Sequence, residues 1–170
     1  MIFSKGDTVI YGIHGVCNVI GIEKKEFMGK QSDYYVLCPT YDKRSTVFVP
    51  TDNETLVNKM KRIMQASEIY ELIKQMPSEE NIWIESDTER KRRYAEILKS
   101  GDRHALVRLI KTLYLHREKQ NEAKKKLHIS DESFLRDAEK LLYEEFAHVL
   151  NITKEQVLPF IMRQIEIEEK

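Results

Sequence analysis

The sequence contains little of what several protein classes require. Its 170 residues include only two cysteines, four prolines and six glycines, and the formal net charge is zero. Two cysteines exclude a disulfide framework and are typical of a reducing cytoplasm, where we expect the protein. No apolar run approaches the ~18 residues of a membrane span, and residues 1–7 lack the pattern of a signal peptide. With 41% hydrophobic residues, the chain is too apolar to be disordered throughout.

The neutral total conceals an uneven distribution of charge. Residues 81–126 hold thirteen basic and seven acidic side chains, a net of +6. Residues 127–170 hold five basic and ten acidic side chains, a net of −5. The earlier segments, 1–55 and 56–80, are nearly neutral. A basic block of this kind favours a nucleic-acid surface, but it is equally typical of a solvated helical face.

The first fifty residues have the pattern of short β-strands. Strands are predicted at 7–11, 16–22, 33–38 and 45–50, because each is rich in Val, Ile, Tyr or Phe and is bounded by turn residues. This spacing predicts a small antiparallel barrel or strongly bent sheet. Residues 57–64 fit either a helix or a fifth, closing strand.

From Ser67 onward the apolar residues follow a helical period. Helices are predicted at 68–76, at about 87–99, from 103, from about 131 and at about 154–168. The expected caps are Ser67, Gly101, Asp102, Ser130 and a capping box over 153–156. Pro159 predicts a kink or a late start of the last helix. The predicted class is therefore α+β with two domains: a β domain (1–65), a connecting helix and linker (66–80) and an all-α domain (81–170).

No group of residues has the spacing of a catalytic or metal site. The five histidines lack metal-ligand spacing, Cys17 and Cys38 form no C-x-x-C pair, and no phosphate-binding glycine motif occurs. The enzymatic alternative is a thiol nucleophile at Cys17 with His14 as its base, although Cys17 lies in an apolar strand. We expect no enzyme, metal, cofactor, small-molecule substrate or membrane partner.

The basic block and the only tryptophan are candidates for DNA binding. Trp83 immediately precedes a predicted helix that begins with Arg90, Lys91, Arg92 and Arg93, and Lys124, Lys125 and Lys126 lie near a predicted helix end. Such cations neutralise phosphates, and an aromatic side chain beside them can insert at a distorted base step. Alternatively, Trp83 with Ile82 and Ile84 fills a gap between the two domains, and nearby glutamates pair with the cations.

Two groups of motifs resemble a known family. Residues 6–11, 14–16, 35–37 and 47–50 resemble the polymerase-interacting, Tudor-like domain of the bacterial CarD/CdnL transcription regulators, a module shared with the transcription-repair coupling factor. Trp83, Arg92-Arg93-Tyr94, 98–102 and Leu113-Tyr114 are similar to the helical DNA-binding domain of CarD. The resemblance covers essentially the whole chain.

The resemblance implies partners for both domains. The β domain is expected to bind the β1 lobe of the RNA polymerase β subunit through Lys25, Phe27, Val47 and Phe48. Lys25 and Phe48 occupy positions where relatives have arginine contacts. The helical domain is expected to bind promoter DNA at the upstream edge of the −10 element, in the minor groove and largely without sequence preference, and to stabilise the open complex.

The resemblance also assigns the DNA contacts by position. Trp83 matches the family's minor-groove wedge, and Arg92 and Arg93 match the basic pair beside it. The spacing from Trp83 to Tyr94 departs from the tight form of actinobacterial members, which leaves the arginine register open. Glu132 replaces a lysine of relatives, for which Arg136 or Lys124–Lys126 could substitute. The alternative hypothesis is a protein-interaction adaptor that does not contact DNA.

Overall fold

A five-stranded antiparallel sheet forms the first of two structural units in residues 2–168, the part of the chain that this computed structural model describes. Its strands are β1 (Thr8–Tyr11), β2 (Val16–Phe27), β3 (Lys30–Pro39), β4 (Val47–Pro50) and β5 (Met60–Arg62). Their order is β4-β3-β2-β1-β5. A one-turn helix, α1 (Glu54–Val57), precedes β5. The expected antiparallel sheet is confirmed, and residues 60–62 form a fifth strand, which pairs with β1 at the edge of the sheet opposite β4.

Strands β2 and β3 are longer than the sequence pattern predicted. The prediction ended β2 at residue 22, but the strand continues to Phe27 and pairs with β3 from Lys30 onward. The extension is charged and exposed on both faces, so no alternation of apolar and polar residues marks it. Met28 (φ 52°) and Gly29 (φ 78°) connect the two strands, and successive positive φ angles give a turn whose twist matches a hairpin.

One face of the sheet carries the core of this unit. Val9, Cys17, Val19, Leu37 and Val49 are fully or almost fully buried there. Val9 pairs with Cys17, and Leu37 with Val19, so each pair projects to the same face. The opposite face of the β2–β3–β4 part of the sheet is called the outer face below.

Five longer helices form the second unit, which begins at Met64. They are α2 (Ala66–Gln75), α3 (Asp87–Ser100), α4 (Arg103–Glu122), α5 (Ile129–Leu150) and α6 (Lys154–Glu168). None of these described helices is long and apolar enough to cross a membrane. Helix α2 was expected to be a connector, yet its Ile69, Leu72 and Ile73 are buried in the same core as α3 to α6.

Several predicted helix ends agree with the structure. Gly101 ends α3 in the left-handed region (φ 70°), which glycine adopts without strain. Asp102 caps α4, because its Oδ1 accepts the N–H of Ala105 at 3.1 Å. The N–H of Thr153 donates to Oε1 of Gln156 at 2.9 Å, which forms one half of the expected capping box of α6.

Two predicted caps are wrong. Helix α2 begins at Ala66, with Gln65 rather than Ser67 at its N-cap, and the N–H of Gln65 donates to Oε2 of Glu68 at 2.7 Å. His128, not Ser130, caps α5 and accepts the N–H of Ser130. Helix α6 begins at Lys154, as predicted, and continues through Pro159, so of the two alternatives for Pro159 the late start is excluded.

The end of α4 has an unusual residue in a common geometry. The N–H of Lys124 donates to the carbonyl of Asn121 at 3.0 Å, and the N–H of Lys125 donates to Gln120 at 2.8 Å. These are the two hydrogen bonds of a Schellman motif, whose left-handed position is usually glycine. Lys124 occupies that position with φ 57°. A side chain there costs about 1–2 kcal/mol relative to the right-handed conformation.

We predict that Lys124→Gly increases the free energy of unfolding by about 1 kcal/mol, because glycine relieves this strain. The neighbouring Lys125→Gly is the matched control, since Lys125 does not have a positive φ. Urea titration of both variants measures the difference. Equal stability changes in the two variants would show that the left-handed position carries no strain.

Candidate functional site

The segment that carries Trp83 is fixed to two helices of the helical unit. The N–H of Ile82 donates to Oγ1 of Thr112 on α4 at 2.9 Å, and the hydroxyl of Tyr94 on α3 donates to the carbonyl of Ile82 at 3.1 Å. Ile82, Trp83 and Ile84 pack partly buried against the core of the helical unit. Residues 82–84 are therefore held against α3 and α4 by hydrogen bonds of the Ile82 main chain and by apolar packing.

Three side chains contact the half-buried indole of Trp83. The ring of His116 on α4 stacks on it, with centroids 3.7 Å apart and planes inclined by 17°. The guanidinium of Arg90 lies 4.5 Å from the ring centroid, within range of a cation–π interaction. The indole Nε1–H donates to Oε1 of Glu85 at 3.2 Å. These contacts orient a large aromatic side chain in advance of binding, which reduces the entropic cost of inserting it into a partner.

Arg90, expected to contact DNA, is instead buried in the helical unit. Only 4% of the residue is exposed. Its Nε and Nη2 donate to both carboxylate oxygens of Asp131 on α5 at 2.8 and 3.1 Å, and it also pairs with Asp87. Its Nη1 donates to the carbonyl of Ile84 at 3.0 Å. Because these partners take up its donors, we assign Arg90 to the support of Trp83 and remove it from the DNA-contacting set.

The stack also changes the acid–base behaviour of His116. Burial, in part under Trp83, lowers the pKa of His116 below its usual value, because a covered imidazole is less able to carry charge. Asp131 opposes this shift, whereas Arg90 and Lys119 add to it. The ring is therefore favoured in its neutral form and accepts or donates one hydrogen bond with the side chain of Gln120 at 3.1 Å.

Lys91, Arg92 and Arg93 lie exposed on α3, but acidic neighbours pair with them. Arg92 pairs with Glu89 and with Glu96 at 2.7 Å, Arg93 pairs with Glu96 at 3.6 Å, and Lys91 pairs with Asp87 at 3.6 Å. The two arginine side chains are each 58% exposed. Pairs of this kind along a solvated helix contribute little to stability, so a phosphate can replace the carboxylate at little cost.

Lys124, Lys125 and Lys126 lie exposed in the loop that follows α4. Within the described residues, no carboxylate lies at ion-pair distance from any of the three. Arg136 is exposed on α5, where its guanidinium contacts the hydroxyl of Ser133 at 3.4 Å. The three lysines are therefore available to phosphates.

The sheet unit brings together three of the four residues expected to bind polymerase. Phe48 on β4 lies opposite Val36, and Val36 opposite Gly21, so Phe48 projects to the outer face with Lys25 and Phe27 of β2. The Nζ of Lys25 lies 4.2 Å from the centroid of the Phe48 ring. Phe27 is exposed beside the hairpin turn.

Val47 does not share the outer face with Phe48. It lies opposite the buried Leu37 and packs partly against the core of the sheet unit. Neighbouring residues of a strand project to opposite faces, so Val47 and Phe48 cannot present their side chains to one flat partner. Strand β4 is, however, an edge strand of the sheet, so the main-chain groups on its free side can pair with a partner strand.

The thiol of Cys17 is unsuited to the catalytic alternative. Cys17 is fully buried, and its Sγ lies 3.9 Å from the carbonyl oxygen of His14. The imidazole of His14 instead stacks on Tyr11 at 5.9 Å. Within the described part of the chain, no three His, Cys, Asp or Glu side chains come close enough to hold a metal ion.

Sequence reasoning missed two residues that shape the surroundings of Trp83: His116, which stacks on the indole, and Asp131, which holds Arg90. Only the position of His116 on a predicted helix gave a signal for it. The pairing of Asp131 with Arg90 joins residues 41 positions apart and had no local signal. The long-range partner explains why an arginine in a basic run is buried.

Comparison with known proteins matches both units to known domains. Residues 3–64 match the family model of the CarD-like/TRCF RID domain, and residues 68–162 match that of the CarD C-terminal domain. The chain is also 25% identical over 166 residues to a Bacillus subtilis (strain 168) protein named "Putative transcription factor YdeB". That alignment covers 93% of this chain and 99% of the relative.

We predict that Asp131→Asn lowers the free energy of unfolding by about 3 kcal/mol, because it removes the buried counter-charge of Arg90 and leaves only the exposed carboxylate of Asp87. Asp137→Asn is the matched control, since Asp137 is exposed on the same helix. Thermal and urea denaturation measure both variants. Similar unfolding of the two variants would mean that the Arg90–Asp131 pair does not stabilise the unit.

We predict that Trp83→Ala raises the pKa of His116 towards 6.5, since the substitution exposes a ring whose burial lowers its pKa. In the intact protein, the folded chain binds this proton less tightly than the unfolded chain. The stabilising contribution of neutral His116 is therefore present above pH 6.5 and declines as the pH falls below it. NMR titration of the five imidazoles measures the shift, and an unchanged His116 titration would contradict the stacking.

Proposed function

Because the chain belongs to the CarD family of transcription regulators, we propose that it binds RNA polymerase through the sheet unit and promoter DNA through the helical unit. The polymerase site is the β1 lobe of the β subunit. The DNA site is the minor groove at the upstream edge of the −10 element, where binding stabilises the open complex. The observation that carries the proposal is the half-buried Trp83, held by His116 and Arg90 beside the basic helix α3.

Indole geometry suits recognition of opened or distorted DNA. A flat aromatic side chain can occupy a base step that has lost its stacking, and it responds to groove shape more than to base identity. Exposed Arg92 and Arg93 and the lysines 124–126 supply phosphate contacts without sequence preference. If these contacts are stronger in the melted promoter than in the closed one, the equilibrium shifts towards melting by that difference, on the order of 1–3 kcal/mol.

The outer face and the β4 edge support the proposed polymerase contact. An edge strand accepts a partner strand through main-chain hydrogen bonds, and neighbouring side chains supply specificity. Lys25 and Phe48 form one contact pair on the outer face, with Phe27 further along β2. Binding to polymerase raises the local concentration of the helical unit at the promoter, so its own affinity for DNA can be weak.

We predict that Trp83→Ala shortens the lifetime of the open complex by about tenfold, within the range of 1–3 kcal/mol for such coupling. Affinity for polymerase without DNA remains unchanged. Trp83→Phe is the matched variant, because it keeps an aromatic ring but loses the Nε1–H bond to Glu85, and it retains part of the effect. Competitor-challenge kinetics measure the lifetime, and an unchanged lifetime in Trp83→Ala would refute the wedge.

We predict that Phe48→Ala weakens binding of the full chain to the polymerase β1 lobe by at least tenfold, since it removes an exposed aromatic contact and the ring beneath Lys25. Lys25→Ala weakens binding less, and its effect is not additive with Phe48→Ala, since the two side chains touch. Lys24→Ala is the control, because Lys24 projects to the opposite face. Loss of binding in Lys24→Ala alone would place the contact on the other face.

A protein-interaction adaptor is the second candidate. The observation that favours it is the pairing of Lys91, Arg92 and Arg93 with carboxylates, together with the burial of Arg90. The two functions differ in their response to salt. DNA contact requires affinity for the polymerase–promoter complex to fall steeply with salt, and replacing Lys124–Lys126 by glutamine would reduce that slope by about one for each lysine that binds a phosphate. An adaptor shows the same slope with and without DNA.

A further inference from the structure

The helical unit has an open apolar groove on which the proposed function does not depend. Helices α4 and α6 form its walls, α5 forms its floor and Met76-Pro77 close one end. Its volume is about 460 Å³, within the ~300–1,000 Å³ range of pockets that bind small molecules. Trp83 and the basic residues of α3 are not among its lining residues.

Helix α6 gives this groove an exposed apolar wall. Leu158, Ile161, Met162 and Ile165 repeat at the spacing of one helix face, and all four line the groove. Leu158 and Met162 are 48% and 53% exposed. Opposite them, α4 contributes Val107, Ile110 and Tyr114. Large contiguous apolar patches are rarely exposed on soluble proteins, and where they line a concave surface they usually mark a binding site.

Polar groups gather along α4 and α5 in the same groove. Glu139 and Tyr143 lie one turn apart on α5, and the guanidinium of Arg117 on α4 lies 5.4 Å from the ring centroid of Tyr114. In the described part of the chain, no hydrogen bond or ion pair joins the charged or hydroxyl groups of Arg117, Glu139 and Tyr143 to a partner. Burial raises the pKa of Glu139, and it raises that of Tyr143 to about 12.

The charges of the groove favour an anionic headgroup. Lys111 and Arg117 are both cationic, whereas Glu139 is the one carboxyl among the described lining residues, so the cations of the groove outnumber its carboxyl groups. The ammonium group of Lys111 is not available to a ligand, because its Nζ donates to the carbonyls of Met76, Pro77 and Glu79 at 2.7–3.2 Å. Arg117 therefore offers its planar guanidinium, which suits a carboxylate, and Tyr143 offers a hydroxyl donor.

We propose that this groove binds a free fatty acid, with the acyl chain between α4 and α6 and the carboxylate on the Arg117 guanidinium and the Tyr143 hydroxyl. An alkylamine of equal length would bring its positive charge next to Lys111 and Arg117. A peptide helix would leave the Arg117 guanidinium without an anion unless the peptide carried an acidic residue opposite it. The length and open side of the groove allow the acyl chain to enter from solvent.

The test is titration of the full chain with dodecanoate, below its micelle concentration, by calorimetry and by NMR of the isoleucine methyl groups. We expect one binding site, with shifts at Ile110, Ile161 and Ile165. Dodecanol and dodecylammonium bind more weakly than dodecanoate. Arg117→Gln weakens dodecanoate binding at least tenfold, whereas Arg163→Gln, an exposed arginine of α6 outside the groove, leaves it unchanged.

Met162→Trp tests the apolar wall, because the larger side chain fills the groove, and Leu158→Trp repeats the test if the first variant unfolds. We expect dodecanoate binding to be abolished in each folded variant. No binding to the intact chain, equal binding in Arg117→Gln and Arg163→Gln, or tighter binding of dodecylammonium would each overturn the proposal. Self-association that Met162→Trp abolishes, without dodecanoate binding, would assign the groove to a second copy of the chain.

Discussion

The buried charge of Arg90 is the constraint on which the helical unit and its candidate DNA site depend. Burying a guanidinium costs several kcal/mol of desolvation free energy unless each of its N–H donors has an acceptor. Its partners must therefore come together from separate parts of the chain. Asp131 comes from α5, Asp87 from the first turn of α3, and the carbonyl of Ile84 from the segment before that helix. The same guanidinium then contacts the indole of Trp83, so the interaction that joins α3 to α5 also orients the aromatic side chain.

This arrangement divides the basic residues into two physical classes. Arg90, Arg103 and Arg108 are committed to Asp131, Glu145 and Glu79, which are themselves mostly buried. The first two pairs join α3 and α4 to α5, and the third joins α4 to the segment before α3. Exposed cations such as Arg92, Arg93 and the lysines 124–126 are able to exchange weak local partners for phosphates. The zero net charge fits the proposed function, because such a protein binds free DNA poorly and depends on polymerase to bring it to the promoter.

Residue patterns predicted the strands, helix ends and motifs that are determined by neighbouring residues in the sequence. Period-two runs marked the strands, glycine and aspartate at 101–102 marked the boundary between α3 and α4, and the motif residues around Trp83 and in the β unit indicated the family. The charged arm of the β2–β3 hairpin was missed because both of its faces are solvated and no periodicity distinguishes it. The burial of Arg90 could not be read from the sequence, since it depends on Asp131, a partner across the fold. The separation of Val47 from Phe48, in contrast, follows from the alternation of side chains in the predicted strand 45–50.

Contact between Trp83 and promoter DNA in the presence of polymerase is central to the proposed function, and photocrosslinking tests it most directly. A benzophenone amino acid at position 83 would be irradiated in the complex of the full chain, polymerase and an end-labelled promoter. We expect a crosslink to DNA at the upstream edge of the −10 element that forms on the opened promoter and is absent without polymerase. Crosslinks to protein alone, in complexes that are fully open, would contradict this role of Trp83.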